Sequence, residues 1–473
     1  MKNHCKKLTA LSLLVVLGCS SISTDPRPAF DDVQENIARR SGQQIQWKRY
    51  RQEDDAVDTA IGEMLKQELD DDQVVQIALL NNPRIQAIYE RLGVAQAQLV
   101  QAGLLKNPVF DMSLRFVEGS SNDYILEMGV AKDFLDILLI SRRKNLAEYQ
   151  LEMAKAEVTG AVIDLAAQAR IAFYSYLGAL QTYELNKELT KIAELYFDAA
   201  TRLYDAGNIT DLALARKRSI YEQTKLDLAL SESRMLEYRE ILNTRMGLWG
   251  QQTGWKTIPT LPEAPEERMV LDELEQRAID NSLDLIVARQ QLTSAAVRAG
   301  IDTAELIFPD TVIGTEAERG QNGTWSAGPA FSVGVPIFDV GQARTAESHA
   351  HLQRLWKRYS GLAIDIRSAV RRQKHRFVNT RHQTDYYKQV IVPLSEQITF
   401  ETQLQYNAMQ LGIFDLLEAK KREVESRKNY IDALTQYWIA RTELELLLNG
   451  HFVNQSPGSV SAGRQGFRPF SGY

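Results

Sequence analysis

The sequence predicts a mainly α-helical chain that carries short membrane-length β-strands. It is built from two copies of one unit, each reading helix, β-hairpin, long helix, tight turn, long helix. Three observations predict this. Long proline-free stretches carry heptad-like apolar spacing, short segments alternate strictly, and the same landmarks return about two hundred residues later.

Proline breaks helix interiors. None of the 13 prolines falls between Pro108 and Pro259, or between Pro336 and Pro393. Gly207, followed by the helix-starting residues Ile209-Thr210-Asp211, divides the first gap. Helices are therefore predicted over roughly 136–205 and 212–248. At 1.5 Å per residue the first would run about 100 Å, where globular helices average about a dozen residues. Within it Val158, Val162, Leu165, Ala169, Ala172, Tyr176, Ala179 and Tyr183 keep the 4-3-4-3 spacing of a coiled-coil seam. A second seam runs through Ile163, Ala166, Phe173, Leu177 and Leu180, broken by Arg170. Two seams require a neighbour on each side, as in a barrel of helices or the centre of a large bundle.

In Pro108–Val117 the side chains of Phe110, Met112, Leu114 and Phe116 share one face, and Asp111, Ser113 and Arg115 the other. After the polar turn 118–123, Tyr124, Leu126, Met128 and Val130 alternate with Glu127, Gly129 and Ala131. Period two with one apolar face predicts a half-buried hairpin. Its strands, at roughly ten residues, have the length that spans a membrane. A second hairpin is predicted at Thr311–Glu318 and Trp325–Val335, turning at Asn322-Gly323. Pro329 inside it demands an edge strand or a bulge.

The landmarks repeat at nearly constant offset. Asn81-Asn82-Pro83 matches Asn281-Ser282-Leu283, Asn107-Pro108 matches Phe308-Pro309, and Tyr204-Asp205-Ala206-Gly207 matches Tyr406-Asn407-Ala408-Met409. Repeats are assigned to 72–248 and 269–449, joined by a proline-rich linker at 249–268 that carries Pro259, Pro262 and Pro265.

The ends read differently. Lys2, Lys6 and Lys7 precede an apolar run from Leu8 to Gly18, too short to span a bilayer and right for a secretory signal at 1–18. Gly18-Cys19-Ser20 resembles a bacterial lipobox, although Val16 and Leu17 depart from its favoured residues; the resemblance implies a covalent lipid, such as palmitate, on Cys19. The alternative is an ordinary signal peptide cleaved nearby. Residues 19–71 are read as a lipid-anchored segment without a clear core that wraps the outside, and 450–473 as a flexible tail. Cys5 and Cys19 are the only cysteines, which excludes a disulfide framework or thiol chemistry in the body of the chain. A net charge of −6 leaves no basic nucleic-acid footprint.

Asn82-Pro83 before a helix, Gln101-Ala102-Gly103-Leu104-Leu105-Lys106-Asn107-Pro108, the Tyr-x-Ala-Gly turn at 204–207 and the stretch from Tyr406 to Asp415-Leu416-Leu417 together resemble the TolC-type outer-membrane efflux factors, in their lipoprotein subgroup. The resemblance covers roughly 72–449. Four strands cannot close a barrel, and open edges cannot face lipid, so partner chains are needed whatever their number. The resemblance implies three: a homotrimer whose twelve strands form a transmembrane β-barrel in the outer membrane of a Gram-negative bacterium, continued by a periplasmic α-helical barrel. It implies an exit duct of a tripartite efflux system, passively conducting substrate from a periplasmic adaptor and an inner-membrane pump. It also implies lipid-facing Phe110, Met112, Leu114 and Phe116. Adaptor docking falls on the turns, at Tyr204, Ala206, Gly207, Ala408 and Met409. A periplasmic gate falls at Asp415 and Glu418 with Tyr406 and Leu411. Here the sequence departs from the family: Leu411 and Ala213 stand where a basic latch residue and its acidic partner are expected, and Met409 where a turn glycine is. Apolar packing around Leu411 and Tyr406 is expected to replace the latch. The lead-in from Gln46-Trp47 to Asn81-Asn82 resembles members paired with heavy-metal pumps, but drugs, metal ions and peptides all remain open as cargo.

No enzyme is expected, with no catalytic residue, cofactor or resident metal. The chain lacks a nucleophile elbow, a P-loop, a dinucleotide glycine fingerprint and a His-Glu-x-x-His helix. His349 and His351 lie about 200° apart around a helix and cannot share a ligand face. Asp70-Asp71-Asp72 reads as a helix cap rather than a calcium site. The competing non-enzymatic reading is a lipid-anchored periplasmic helical scaffold or adaptor without a pore, which has no use for strands with an apolar face.

Overall fold

A computed structural model describes residues 23–49, 52–116, 124–266, 270–307, 309, 311–320 and 322–452. The signal peptide, Cys19, the turn at 118–123 and residues 453–473 of the tail lie outside the described residues. In chain order the protein forms α1 (Arg27–Ser41), α2 (Gln52–Met64), the two-residue strand β1 (Glu68–Leu69), α3 (Asp71–Asn81), α4 (Pro83–Gly103), β2 (Val109–Phe116), β3 (Tyr124–Asp133), α5 (Phe134–Asp205) and α6 (Asp211–Met246). A linker with β4 (Lys256–Thr257) leads to α7 (Leu274–Asn281), α8 (Leu283–Ile307), β5 (Val312–Arg319), β6 (Trp325–Ser332), α9 (Gln342–Tyr386), α10 (Val392–Asn407) and α11 (Ile413–Leu448).

The 72-residue α5 starts where Asp133 accepts the Leu135 N–H at 2.9 Å, and stops at Gly207, whose φ of 74° the helix cannot continue. Both predicted seams are used. Val158, Val162, Ala169, Ala172 and Tyr176 are buried, as are Ile163, Phe173 and Leu177. The neighbours are α1, α3, α4, α6, α8 and α11. Gly178 lets α5 and α11 approach so closely that a Cβ there would collide with Thr435. Arg170, which interrupts the second seam, instead pairs with Asp71 at 3.1 Å and Asp72 at 2.6 Å. Asp70 caps α3, accepting the Gln73 N–H at 2.8 Å.

The repeated asparagines have a shared task. Asn81 donates from its amide to the carbonyls of Met246 and Gly247, and Asn281 donates to that of Leu448. Each half thus ties the end of its short first helix to the end of its last long one, satisfying carbonyls that a helix end leaves without partners. Asn82, buried beside Asn81, donates to Arg245 O at 2.8 Å while its own Oδ1 caps α4 by accepting the Arg84 N–H. Asn82→Ala removes both, and is expected to cost about 1–3 kcal/mol in denaturant unfolding.

Two features of the sequence reading are corrected. Residues 23–71 do have a core: Phe30, Val33, Ile37, Ile45, Trp47 and Ile61 are buried with the main cluster. The rings of Phe30, Trp47 and Tyr89 meet at tilted and edge-on angles with centroids 5.2–6.4 Å apart, and the Trp47 indole donates to Glu90 at 3.0 Å. Phe30, Val33 and Ile37 share one face of α1 at helical spacing, whereas Ile45 and Trp47 lie on irregular chain with no periodicity to betray them. Second, the outgoing helix of the second half is not continuous. A π turn at Tyr387–Ile391 separates α9 from α10 just before Pro393. Proline offers no N–H and its ring crowds the carbonyl four residues back, a conflict that an extra residue in the turn relieves.

The four long strands form one antiparallel sheet in the order β2-β3-β5-β6. β6 lies at an edge, and there Pro329 pairs with Thr315 without a bulge. Register places Met112, Met128, Ala317 and Ala327 in one cross-strand row, and Leu114, Leu126, Arg319 and Trp325 in the next. The alternate rows are Ser113, Glu127, Glu318 and Ser326, and Asp111, Gly129, Glu316 and Gly328. Side chains directly opposite share a face. One face is therefore apolar and the other acidic.

Candidate functional site

The two long-helix turns are built by the same bonds. In the first, the N–H groups of Ala206, Gly207 and Asn208 donate to the carbonyls of Arg202, Tyr204 and Leu203. In the second, those of Ala408, Met409 and Gln410 donate to Leu404, Tyr406 and Gln405. Only the residue in the left-handed position differs. Gly207 takes φ 74° without cost, whereas Met409 takes φ 59° with a side chain that is 94% exposed. The Tyr204 hydroxyl donates to Asp211, which holds its phenol above the ordinary value.

Past the second turn, Gly412 starts α11 and Asp415 accepts its N–H at 3.0 Å. Glu418 pairs with Arg422 at 3.2 Å. Both acids are exposed, and Tyr406 and Leu411 are half-buried. Tyr406 lies close enough to Tyr196 to act, after burial, as a second cause raising that phenol. Ala213 serves only through its backbone, donating to the capping Thr210 hydroxyl.

Sequence reasoning missed Lys217. Its ammonium sits 3.6 Å from the centroid of the Phe414 ring, linking α6 to α11. Burial lowers its pKa from the ordinary lysine value, against the pull of Glu418 and Asp415. The basic run Arg216-Lys217-Arg218, whose first member stands where the other half has Glu418, was the available signal.

On the sheet, Phe110, Met112, Leu114 and Phe116 are 62%, 63%, 47% and 79% exposed. Among the described residues no element buries this face. On the opposite face Arg115 pairs with Glu127. Arg319, directly opposite Trp325, reaches Tyr124 near the turn end of the sheet. Where the sheet meets α5, a second unforeseen group lies buried. The Asp136 carboxylate has no exposed surface, stands 2.6 Å from Arg143, and accepts the Lys106 N–H at 3.0 Å, with the amines of Lys106 and Lys132 at 3.9 and 3.8 Å. Among the described residues no group of three or more His, Cys, Asp or Glu side chains stands together as a metal site, and no helix is long and apolar enough to cross a membrane.

Residues 74–248 match the family model described as outer membrane efflux protein. The chain is 22% identical over 380 residues to the cobalt-zinc-cadmium resistance protein CzcC of Cupriavidus metallidurans, covering 79% of this chain and 88% of that protein. Its fold is similar to the CmeC outer membrane channel of Campylobacter jejuni, with a TM-score of 0.64 at 14% identity, covering 83% and 87% of the two chains. The outer membrane protein VceC of Vibrio cholerae gives 0.63 at 15% identity, covering 84% and 97%. The open state of the Neisseria gonorrhoeae MtrE outer membrane channel gives 0.63 at 15%, covering 82% and 89%.

Proposed function

This chain belongs to the TolC-type outer membrane efflux proteins, a family of channels rather than enzymes, and on that premise we propose that it is the exit duct of a tripartite efflux system. The observation that carries the reading is the sheet. An exposed apolar face on strands of 8–10 residues, backed by an acidic face, suits a wall with lipid outside and water inside. The sheet has open edges at β2 and β6, and those edges must be paired before it can enter lipid. Three copies, closing twelve strands, are the proposed assembly, with the long helices continuing the wall into the periplasm. The turns at 204–207 and 406–409 are the proposed docking points for an adaptor, which links the duct to an energised inner-membrane pump. The relation to a cobalt-zinc-cadmium resistance protein supports divalent transition-metal cations as cargo.

Cys19 is the proposed lipid anchor. Cys19→Ala is expected to abolish palmitate labelling of the full chain, and undiminished labelling would remove the anchor from this reading.

The gate is proposed at Asp415 and Glu418. Three chains would set six carboxylates around one opening, and a field of that sign favours cations. Asp415→Asn with Glu418→Gln is expected to lower cation selectivity and weaken block by multivalent cations in planar-bilayer recordings, with assembly unchanged. An assembled double mutant that conducts and blocks like the native protein would leave these acids as ordinary helix-start residues.

A further inference from the structure

The duplicated halves differ most sharply in charge just after their turns. At an offset of 202, Ala213, Arg216 and Lys217 of α6 correspond to Asp415, Glu418 and Ala419 of α11. One helix start has become basic where the other is acidic. Phe414 has Leu212 as its counterpart, so the aromatic face under the Lys217 ammonium exists in one half only.

We infer that Lys217 is a specificity-determining residue of the duct: it clasps the two helical hairpins of one chain together over Phe414 and sets the net charge around Asp415 and Glu418. This rests on the exit-duct reading. The geometry gives the clasp its physical basis, because an ammonium 3.6 Å from a ring centroid is within cation–π range. Lys217 is half-buried while its neighbours Arg216 and Arg218 are exposed, so it is the one basic side chain of the three that the opposite hairpin holds. Two negative charges, Asp415 and Glu418, then face two positive ones, Lys217 and Arg422, and the group sums to zero while the hairpins are together. Parting them removes Lys217 and leaves Asp415 and Glu418 against Arg422, because Lys420 and Lys421 are paired with Glu423 and Glu425. Charge at the tip is thereby coupled to opening: the constriction turns attractive to cations as it widens.

Two measurements on the full-length protein in detergent or bilayer test this. Acylation of lysines by an N-hydroxysuccinimide ester, read by mass spectrometry, should find Lys217 slower than Lys191, whose side chain is 70% exposed. Phe414→Ala should speed Lys217 about two- to fivefold, the factor that corresponds to a surface cation–π contact, and leave Lys191 unchanged. In planar bilayers Lys217→Gln should raise cation-over-anion permeability about twofold or more, and Lys217→Arg should keep it near the native value. Equal labelling of Lys217 with and without Phe414 overturns the clasp. A conducting Lys217→Gln protein with native selectivity overturns the specificity role. A native protein that conducts no ions at all overturns the duct reading instead, and the labelling still decides the clasp by itself.

Discussion

Replacing Asp136 with alanine is expected to destabilise the protein by about 1–3 kcal/mol, because it removes a buried acceptor from the Lys106 N–H and from Arg143, while the cations around it keep access to water. The Asp136 carboxylate has no exposed surface and lies between three cationic side chains, with Arg143 closest at 2.6 Å and largely covered. It also receives the Lys106 N–H, fixing the segment that leads from α4 into β2. Asp133, three residues earlier, caps α5, so one turn of chain organises both the strand entry and the helix start. Asp136→Asn keeps the shape and the Lys106 hydrogen bond and loses only the charge. It should fall between native and alanine in a urea titration of the purified protein. Native stability in the alanine variant would show that the cluster is solvated and carries little.

The periodic parts of this architecture were legible because periodicity reports the face that an element turns to its neighbours. The proline gaps and the seams through Val158 and Ile163 anticipated α5 and α6 to within a few residues. Strict alternation from Phe110 to Val130 anticipated the hairpin and the residues that share each face of it. The repeated Asn81 and Asn281 marked the duplication, although their task became plain only when both were seen binding the ends of α6 and α11. Most of what stayed hidden has no period. Trp47 sits on irregular chain, and only the approach of Phe30 and Tyr89 makes it part of a core. Met409 is matched to Gly207 by the repeat, and its φ of 59° is the left-handed conformation which that match implies, taken by a residue with a side chain. Asp136 and Lys217 find partners on other elements, and spacing along the chain says nothing about which charge will stand opposite. The same limit applies to the gate. Asp415 and Glu418 could be placed on one helix face from their spacing, but not set against Lys217.

Arginine at position 114 should be far more damaging than arginine at position 113. The two residues are neighbours on β2 and face opposite sides of the sheet, Leu114 in the row of Leu126 and Trp325, Ser113 in the row of Glu127 and Glu318. If the apolar face meets lipid, Leu114→Arg places a guanidinium in hydrocarbon, at a cost of about 2–4 kcal/mol near the bilayer midplane. Leu114 shares its cross-strand row with Arg319, which rests on the Tyr124 ring, and with Trp325, so its cost belongs at the low end of that range. Ser113→Arg instead adds a cation to a face that holds Glu127, Glu316 and Glu318, so opposite charge is at hand and water is available to the side chain. It should change stability by less than about 1 kcal/mol. Heat-modifiable gel migration of the outer-membrane fraction, followed by denaturant titration of the assembled form, reads both. Equal loss at the two positions would mean that neither face meets lipid, and the sheet would belong to a periplasmic scaffold. A greater loss at position 113 would put lipid on the acidic side, which the row of Glu127 and Glu318 makes physically untenable, and would point to a register different from the one observed.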